Sequence, residues 1–175
     1  LVCGDFMRWN LPKTPYKVFA NIPFSRTTDI IRKLTCGSDP PEEAWLVIEK
    51  GAAKRFMGRP SESILSLNIK LFFDCEIIYY FRREDFHPAP SVDAVLFHLK
   101  KKAVPDISPK DRNAFNRFVA SCLSRPGGIF TILTKKQITT AFKKAGLPTD
   151  IPCSGEMQYV QWLCLFRCYM KYDAG

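Results

Sequence analysis

The stretch from Tyr16 to Phe24, YKVFANIPF, decides how the chain is read. Tyr16, Lys17, Val18, Phe19 and Ala20 make an apolar run of strand length, and Asn21, Ile22, Pro23 and Phe24 follow it. In doubly wound sheets the carboxyl ends of strands open onto the ligand crevice, so a short polar residue there faces a cavity. An Asn side-chain oxygen, together with the neighbouring backbone carbonyl of Ile22, can accept both hydrogens of a planar amine and favour its change toward tetrahedral geometry. Pro23 stiffens the loop and Phe24 offers a ring on which a base can stack. A strand that simply ends in an Asn-containing turn would read the same way.

On either side of this segment the pattern alternates strand and helix up to about Lys102, as in an α/β layer structure. Thr27 or Thr28 can cap a helix that carries Ile30, Ile31 and Leu34 on one side and ends near Gly37. Ala44 to Ile48 is a continuous apolar run, expected as a strand covered on both faces. Glu49–Met57 and Ser63–Phe72 read as helices. Cys75–Phe81 and Val92–Leu99 read as paired strands, joined by FHPAPSV (Phe86–Val92), whose two prolines exclude helix.

From Ser108 onward the strand pattern stops. Pro109 suits the first position of a helix that repeats Phe115, Phe118, Val119 and Cys122 at helical spacing. Thr134 and Gln137 resemble a capping box for a helix that Gly146 and Pro148 end. The last helix is expected over about Glu156–Tyr172, with Trp162, Phe166, Tyr169 and Tyr172 read as core. The expected organisation is a domain over 1–104 and an all-helical domain over 105–175.

The 175 residues are 46% hydrophobic and 25% charged, enough for an ordinary core. No apolar run approaches a membrane span and the amino terminus lacks a signal-peptide layout, so a soluble, cytoplasmic protein is expected. Seven scattered cysteines without a C-x-x-C pair, and only two histidines, suit reduced thiols rather than a metal site. Cys164 and Cys168, four apart on a helix, lack further ligands. The net charge is +9, with +1 through Leu99 and +8 from Lys100 onward. Such a basic block suits a surface that meets phosphate, although a solvated face would also carry it.

Taken in order, GDF (Gly4–Phe6), FANIPF (Phe19–Phe24) with TTDIIRKL to Leu34, VIEKGAAKRF (Val47–Phe56) and FHPAPSVDA (Phe86–Ala94) resemble the ribosomal RNA adenine N6-dimethyltransferases. GIFT (Gly128–Thr131), the K-x-Q helix and the aromatic terminal helix are similar to the small helical domain of their erythromycin-resistance branch. The resemblance implies the C-terminal half of a Rossmann-like methyltransferase domain, followed by a helical RNA-docking domain. It makes S-adenosylmethionine the methyl donor and an adenine of 23S ribosomal RNA the acceptor, the modification that confers macrolide, lincosamide and streptogramin B resistance.

The same resemblance makes Asn21, Ile22, Pro23 and Phe24 the catalytic loop. Asp5, Phe6 and Asn21 would contact the cofactor, Asp5 by accepting from its adenine amine. Phe24 and Phe86 would sandwich a target base flipped from its stack, with Pro88 and Pro90 holding the loop and His87 structural. Lys54, Arg55, Lys135, Lys136, Lys143 and Lys144 would meet RNA. No metal and no membrane enter this scheme.

The family's glycine-rich cofactor loop and its ribose-binding acid would precede Leu1, so the resemblance implies an amino-terminal truncation and a cofactor site incomplete in this chain. The chain alone is then expected to be inactive. The full-length parent is expected to be a monomer, whereas the shortened chain would expose Phe19 and Trp45 and self-associate. Phe24 stands where Tyr is commoner, and Ala94 where a small hydroxyl residue is usual. Two other functions fit part of the pattern: a small-subunit ribosomal RNA dimethyltransferase, and a non-catalytic nucleic-acid-binding relative.

Overall fold

In the computed structural model, which describes residues 3–125 and 127–173, the strands form one four-stranded sheet in the order β1-β2-β4-β3. β1 (Lys17–Asn21) and β2 (Glu43–Glu49) pair in parallel, so the chain needs a crossover between them, and α1 (Thr27–Cys36) supplies it. β3 (Phe73–Tyr80) and β4 (Ala94–Lys101) are antiparallel, and β4 also runs antiparallel to β2. The carboxyl ends of β1, β2 and β3 therefore lie at the same end of the sheet as the start of β4.

Strand alternation sorts the two faces. Ala44, Leu46 and Ile48 stand opposite Leu99, Phe97 and Val95, and all six are buried. Ile30, Ile31 and Leu34 of α1, Ala52, Ala53 and Phe56 of α2 (Lys50–Phe56) and Leu67 and Leu71 of α3 (Ile64–Phe72) complete this core. The other face is not apolar throughout. There Trp45 stacks on His98 at 4.9 Å, Lys17 lies 5.6 Å above the Trp45 ring, and His98 meets Glu43 at 3.1 Å. The hydrogen bond from Lys17 outweighs desolvation and holds the Glu43 carboxyl below its usual range. This charged network leaves Trp45 half-buried, not exposed, and replaces the two-sided apolar cover expected for β2. Phe19, on the same face of the edge strand β1, is 76% exposed, as the alternation requires.

Several boundaries differ by a residue or two, and two differences have a physical cause. Neither threonine caps α1 with its side chain: a 3-10 turn over Phe24–Arg26 precedes the helix, and Thr27 Oγ1 donates to the Phe24 carbonyl at 3.0 Å. The last helix, α6 (Tyr159–Asp173), starts three residues late because Ser154–Glu156 forms a 3-10 turn and Met157 is extended and buried. The capping box of α5 (Lys135–Lys144) forms between Thr134 and Gln137 as read from the sequence.

The helical segment packs directly on α3. Arg112, at the start of α4 (Arg112–Ser124), stacks 3.9 Å over Phe72, and Asn68 donates to Asn116. The Tyr159 hydroxyl donates to Asp106 Oδ2 at 2.5 Å, where Lys102 Nζ also arrives at 2.6 Å. Trp162 and Phe166 of α6 are buried in the core shared with Phe115 and Phe118. Tyr172 is not core: it is 61% exposed near the helix end.

Candidate functional site

Asn21 is the last paired residue of β1, opposite Val47. The next amide, Ile22 N–H, still reaches the Val47 carbonyl at 3.4 Å, and the Ile22 side chain is buried. The chain thus leaves the sheet with Ile22 as an apolar anchor and Asn21 exposed. Pro23 turns extended, and its carbonyl accepts from Arg26 N at 2.9 Å, closing the 3-10 turn that presents Phe24 half-exposed. Among the described residues no donor meets the Ile22 carbonyl. One exposed amide side chain and one free carbonyl therefore sit on adjacent residues of a loop held from both sides.

The loop between β3 and β4 stands at the same end of the sheet. Its anchor is Asp93, which meets Lys50 Nζ at 3.2 Å and Arg83 Nη2 at 3.7 Å, while Lys50 N donates to the Asp93 carbonyl at 2.8 Å. Phe86 is half-buried and packs edge-on against Phe81 at 5.3 Å, which in turn meets Tyr79 at 4.9 Å. The partner of Phe86 in the described structure is this aromatic ladder. His87 and Pro88 are exposed and Pro90 half-buried. Lys54 borders a shallow cavity of about 360 Å³ with Lys50 and Arg83; Arg55 beside it is exposed.

Asp5 and Phe6 lie in a turn that the sheet does not hold. The Asp5 carboxylate accepts from Met7 N at 2.9 Å and lies 3.8 Å from Arg8 Nε. Lys33 of α1 fixes the turn: its ammonium donates to the carbonyls of Phe6, Met7 and Trp9 at 2.5, 3.0 and 2.5 Å and sits 4.8 Å over the Phe6 ring. Gly4, Asp5, Phe6, Arg8 and Trp9 line a cavity of about 500 Å³. Residue order alone gives Lys33 no such task. Its only signal is a lysine on the last turn of an otherwise apolar-faced helix.

Lys135, Lys136, Lys143 and Lys144 are all exposed on α5. Ile138 and Phe142 of the same helix are buried, so the basic side points outward. Burial raises the thiols of Cys75, to about 11, and Cys122, to about 12, which leaves both as packing groups. Among the described residues no three His, Cys, Asp or Glu side chains gather as a metal ion requires, and no helix is long and apolar enough to cross a membrane.

The fold has counterparts among known proteins. The crystal structure of 23S rRNA methyltransferase ErmE superposes with a TM-score of 0.81 at 22% identity, covering 97% of this chain and 71% of that one. A dimethyladenosine transferase from Plasmodium falciparum gives 0.64 at 20% identity, over 97% of this chain and 72% of that one. The rRNA adenine N-6-methyltransferase of Limosilactobacillus reuteri is 32% identical over 97% of this chain, and its Staphylococcus aureus namesake is 32% identical over 96%. The chain spans 66% and 65% of the length of those two proteins. The ribosomal RNA small subunit methyltransferase A of Nostoc punctiforme is 32% identical over 66% of this chain and 47% of its own length. The family model for ribosomal RNA adenine dimethylase matches residues 1–169, from before the Asp5 turn, through the Asn21 loop, into the last helix. The chain belongs to the ribosomal RNA adenine dimethylase family.

Proposed function

We propose that this chain forms the methyl-acceptor side of an enzyme that transfers a methyl group from S-adenosylmethionine to N6 of an adenine in 23S ribosomal RNA, and so confers resistance to macrolide, lincosamide and streptogramin B antibiotics. The observation that carries the reading is the pair of acceptors at the sheet end: the exposed Asn21 side chain and the unpartnered Ile22 carbonyl. Two acceptors on adjacent residues suit the two hydrogens of one exocyclic amine, and they stabilise the nitrogen as it turns its lone pair toward the methyl group. Phe24 would stack on one side of the flipped base, and Phe86, on a loop at the same end of the sheet, would close on the other. Aromatic stacking largely offsets the few kcal/mol that base extrusion costs.

The turn at Asp5 and Phe6 fits the adenine end of the cofactor, because it borders a cavity with a carboxylate and two rings. Asp5 would accept from the adenine amine, and Lys33 would hold the turn still. Bound S-adenosylmethionine supplies an activated methyl on a positive sulfur, so direct transfer needs no covalent step on the protein. Asp5 and the Asn21 loop would meet only the adenine and methyl ends of the cofactor, so these groups alone would bind it weakly and methylate little. The exposed Phe19 edge favours self-association of the chain in that form. Lys54 and Arg55 at the sheet end and the four α5 lysines would hold RNA phosphates.

Support for the large-subunit target comes from the helical segment. It rests on the GIFT segment (Gly128–Thr131) and the helices after it, which resemble the erythromycin-resistance branch, and the small-subunit methyltransferase of Nostoc punctiforme aligns along only two thirds of the chain. A test is to express a full-length protein carrying the segment expected ahead of Leu1 in a susceptible bacterium. Raised tolerance to a macrolide, a lincosamide and streptogramin B together is the expected result. Unchanged tolerance with active protein would move the target away from 23S RNA.

A further inference from the structure

The helical segment contains a cleft that the proposed reaction does not use. It lies between α5 and α6, has a volume of about 450 Å³, and takes its apolar lining from Ala141, Leu147, Val160 and Leu163. Val160 is 49% exposed there, a large apolar side chain left in solvent beside a concave surface. Three exposed cations, Lys144, Arg167 and Lys171, border it, and its lining includes no carboxylate among the described residues. One Arg167 nitrogen donates to the Asp106 carbonyl at 3.0 Å, and the guanidinium also attracts the Asp106 carboxylate, so part of its charge is compensated while it is held at the cleft. Tyr172 stands exposed among the lining residues.

An apolar, aromatic-edged cleft ringed by cations matches a ligand that is flat and apolar at one end and anionic at the other. We infer that this cleft takes an unpaired nucleotide of the RNA substrate, with its base against Val160, Leu163 and Tyr172 and its phosphates on Lys144, Arg167 and Lys171. The inference rests on the reading that the substrate is RNA, and it adds a base-sized pocket to what was a charged face. An acidic protein segment would satisfy the cations and leave the apolar lining unused.

Cys164 and Cys168 line the same cleft and report on its occupancy. Burial raises both thiols, so labelling is run at mildly alkaline pH with a small alkylating reagent, and modification is quantified at each site by mass spectrometry. Cys36 and Cys153, exposed and outside the cleft, are internal references. The probe is a single-stranded eight-nucleotide RNA of mixed sequence at low salt, with an abasic oligomer of equal charge and a heptaglutamate peptide alongside.

The RNA is expected to slow alkylation of Cys164 and Cys168 severalfold with the references unchanged, and the abasic oligomer is expected to protect far less. Val160→Glu should weaken RNA binding about tenfold, the loss of roughly one stacked base. Replacing Lys144, Arg167 and Lys171 by Gln should lower the salt slope by about 2, at roughly 0.7 for each single-strand phosphate contact. RNA that binds without protecting the thiols would overturn the cleft while leaving RNA binding elsewhere intact. Equal protection by the abasic oligomer or the peptide would make it a general anion site and overturn the base assignment. No RNA binding at low salt would overturn both this inference and the RNA reading beneath it.

Discussion

The Ile22 amide donates to the Val47 carbonyl at 3.4 Å, one residue beyond the paired end of β1, so the Asn21 loop leaves the sheet under the control of its neighbouring strand. That restraint limits how far Asn21 can move, and replacing its side chain by a methyl should remove an acceptor without moving the loop. Asn21→Ala in a full-length protein should lower methyl transfer roughly a hundredfold, about 3 kcal/mol, with RNA affinity largely kept. Single-turnover kinetics check this. Near-normal turnover would take the loop out of the chemistry.

Phe24 is presented half-exposed by a 3-10 turn, so its ring is open to an incoming base. Phe24→Tyr should keep most activity, while Phe24→Leu, similar in apolar character but without a plane, should lose at least tenfold. Equal rates for the two variants would argue against base stacking at this position.

The contact between Tyr159 and Asp106 ties the last helix to the segment that follows β4. Tyr159→Phe should destabilise the fold by about 1 kcal/mol, seen as a lower Tm. Desolvation pushes the Asp106 carboxyl up, but hydrogen bonds from Lys102 and Tyr159 outweigh it, and its pKa ends below the usual value. A carboxyl depressed in the folded state adds stability that is present above its unfolded pKa, about 3.9, and is lost as pH falls through the lower folded value. Asp106→Asn should therefore lower Tm at pH 7 and flatten its decline below about pH 4. Melting curves at pH 7 and pH 3 would show an unchanged acid dependence if this pair were idle.

Much of this arrangement could be read from residue order because it depends on local chemistry. The strand before Asn21, the capping box at Thr134 and Gln137 and the helix stop at Gly146, with its φ of +68°, are all set by neighbours within a few residues. The features that were not legible depend on distant partners. Lys33 reaches back more than twenty residues to the Asp5 turn, and Trp45 finds His98 only when β2 and β4 align. The irregular pairing between Ile77 and Tyr79 changes which face of β3 the two tyrosines take, and simple alternation carries no sign of it. Met157, buried and extended, delays the last helix for the sake of a core contact that periodicity does not encode.

The outward lysines of α5 give a separate test of RNA docking. Replacing Lys135, Lys136, Lys143 and Lys144 by Gln should weaken RNA binding and reduce its salt slope by about 0.7 to 0.9 for each phosphate no longer neutralised. Titrations at three salt concentrations measure the slope directly. An unchanged slope would make these lysines solvated surface.

Transfer to N6 of an adenine in 23S RNA leaves its own record in the modified nucleoside. Protein-free 23S and 16S ribosomal RNA would be incubated separately with a full-length protein and S-adenosylmethionine, digested to nucleosides and analysed by mass spectrometry. The expected result is N6-methylated adenosine from the 23S RNA, absent from the 16S RNA and strongly reduced with Asn21→Ala. Methylated adenosine from 16S RNA alone, or none from either RNA with cofactor-loaded protein, would contradict it.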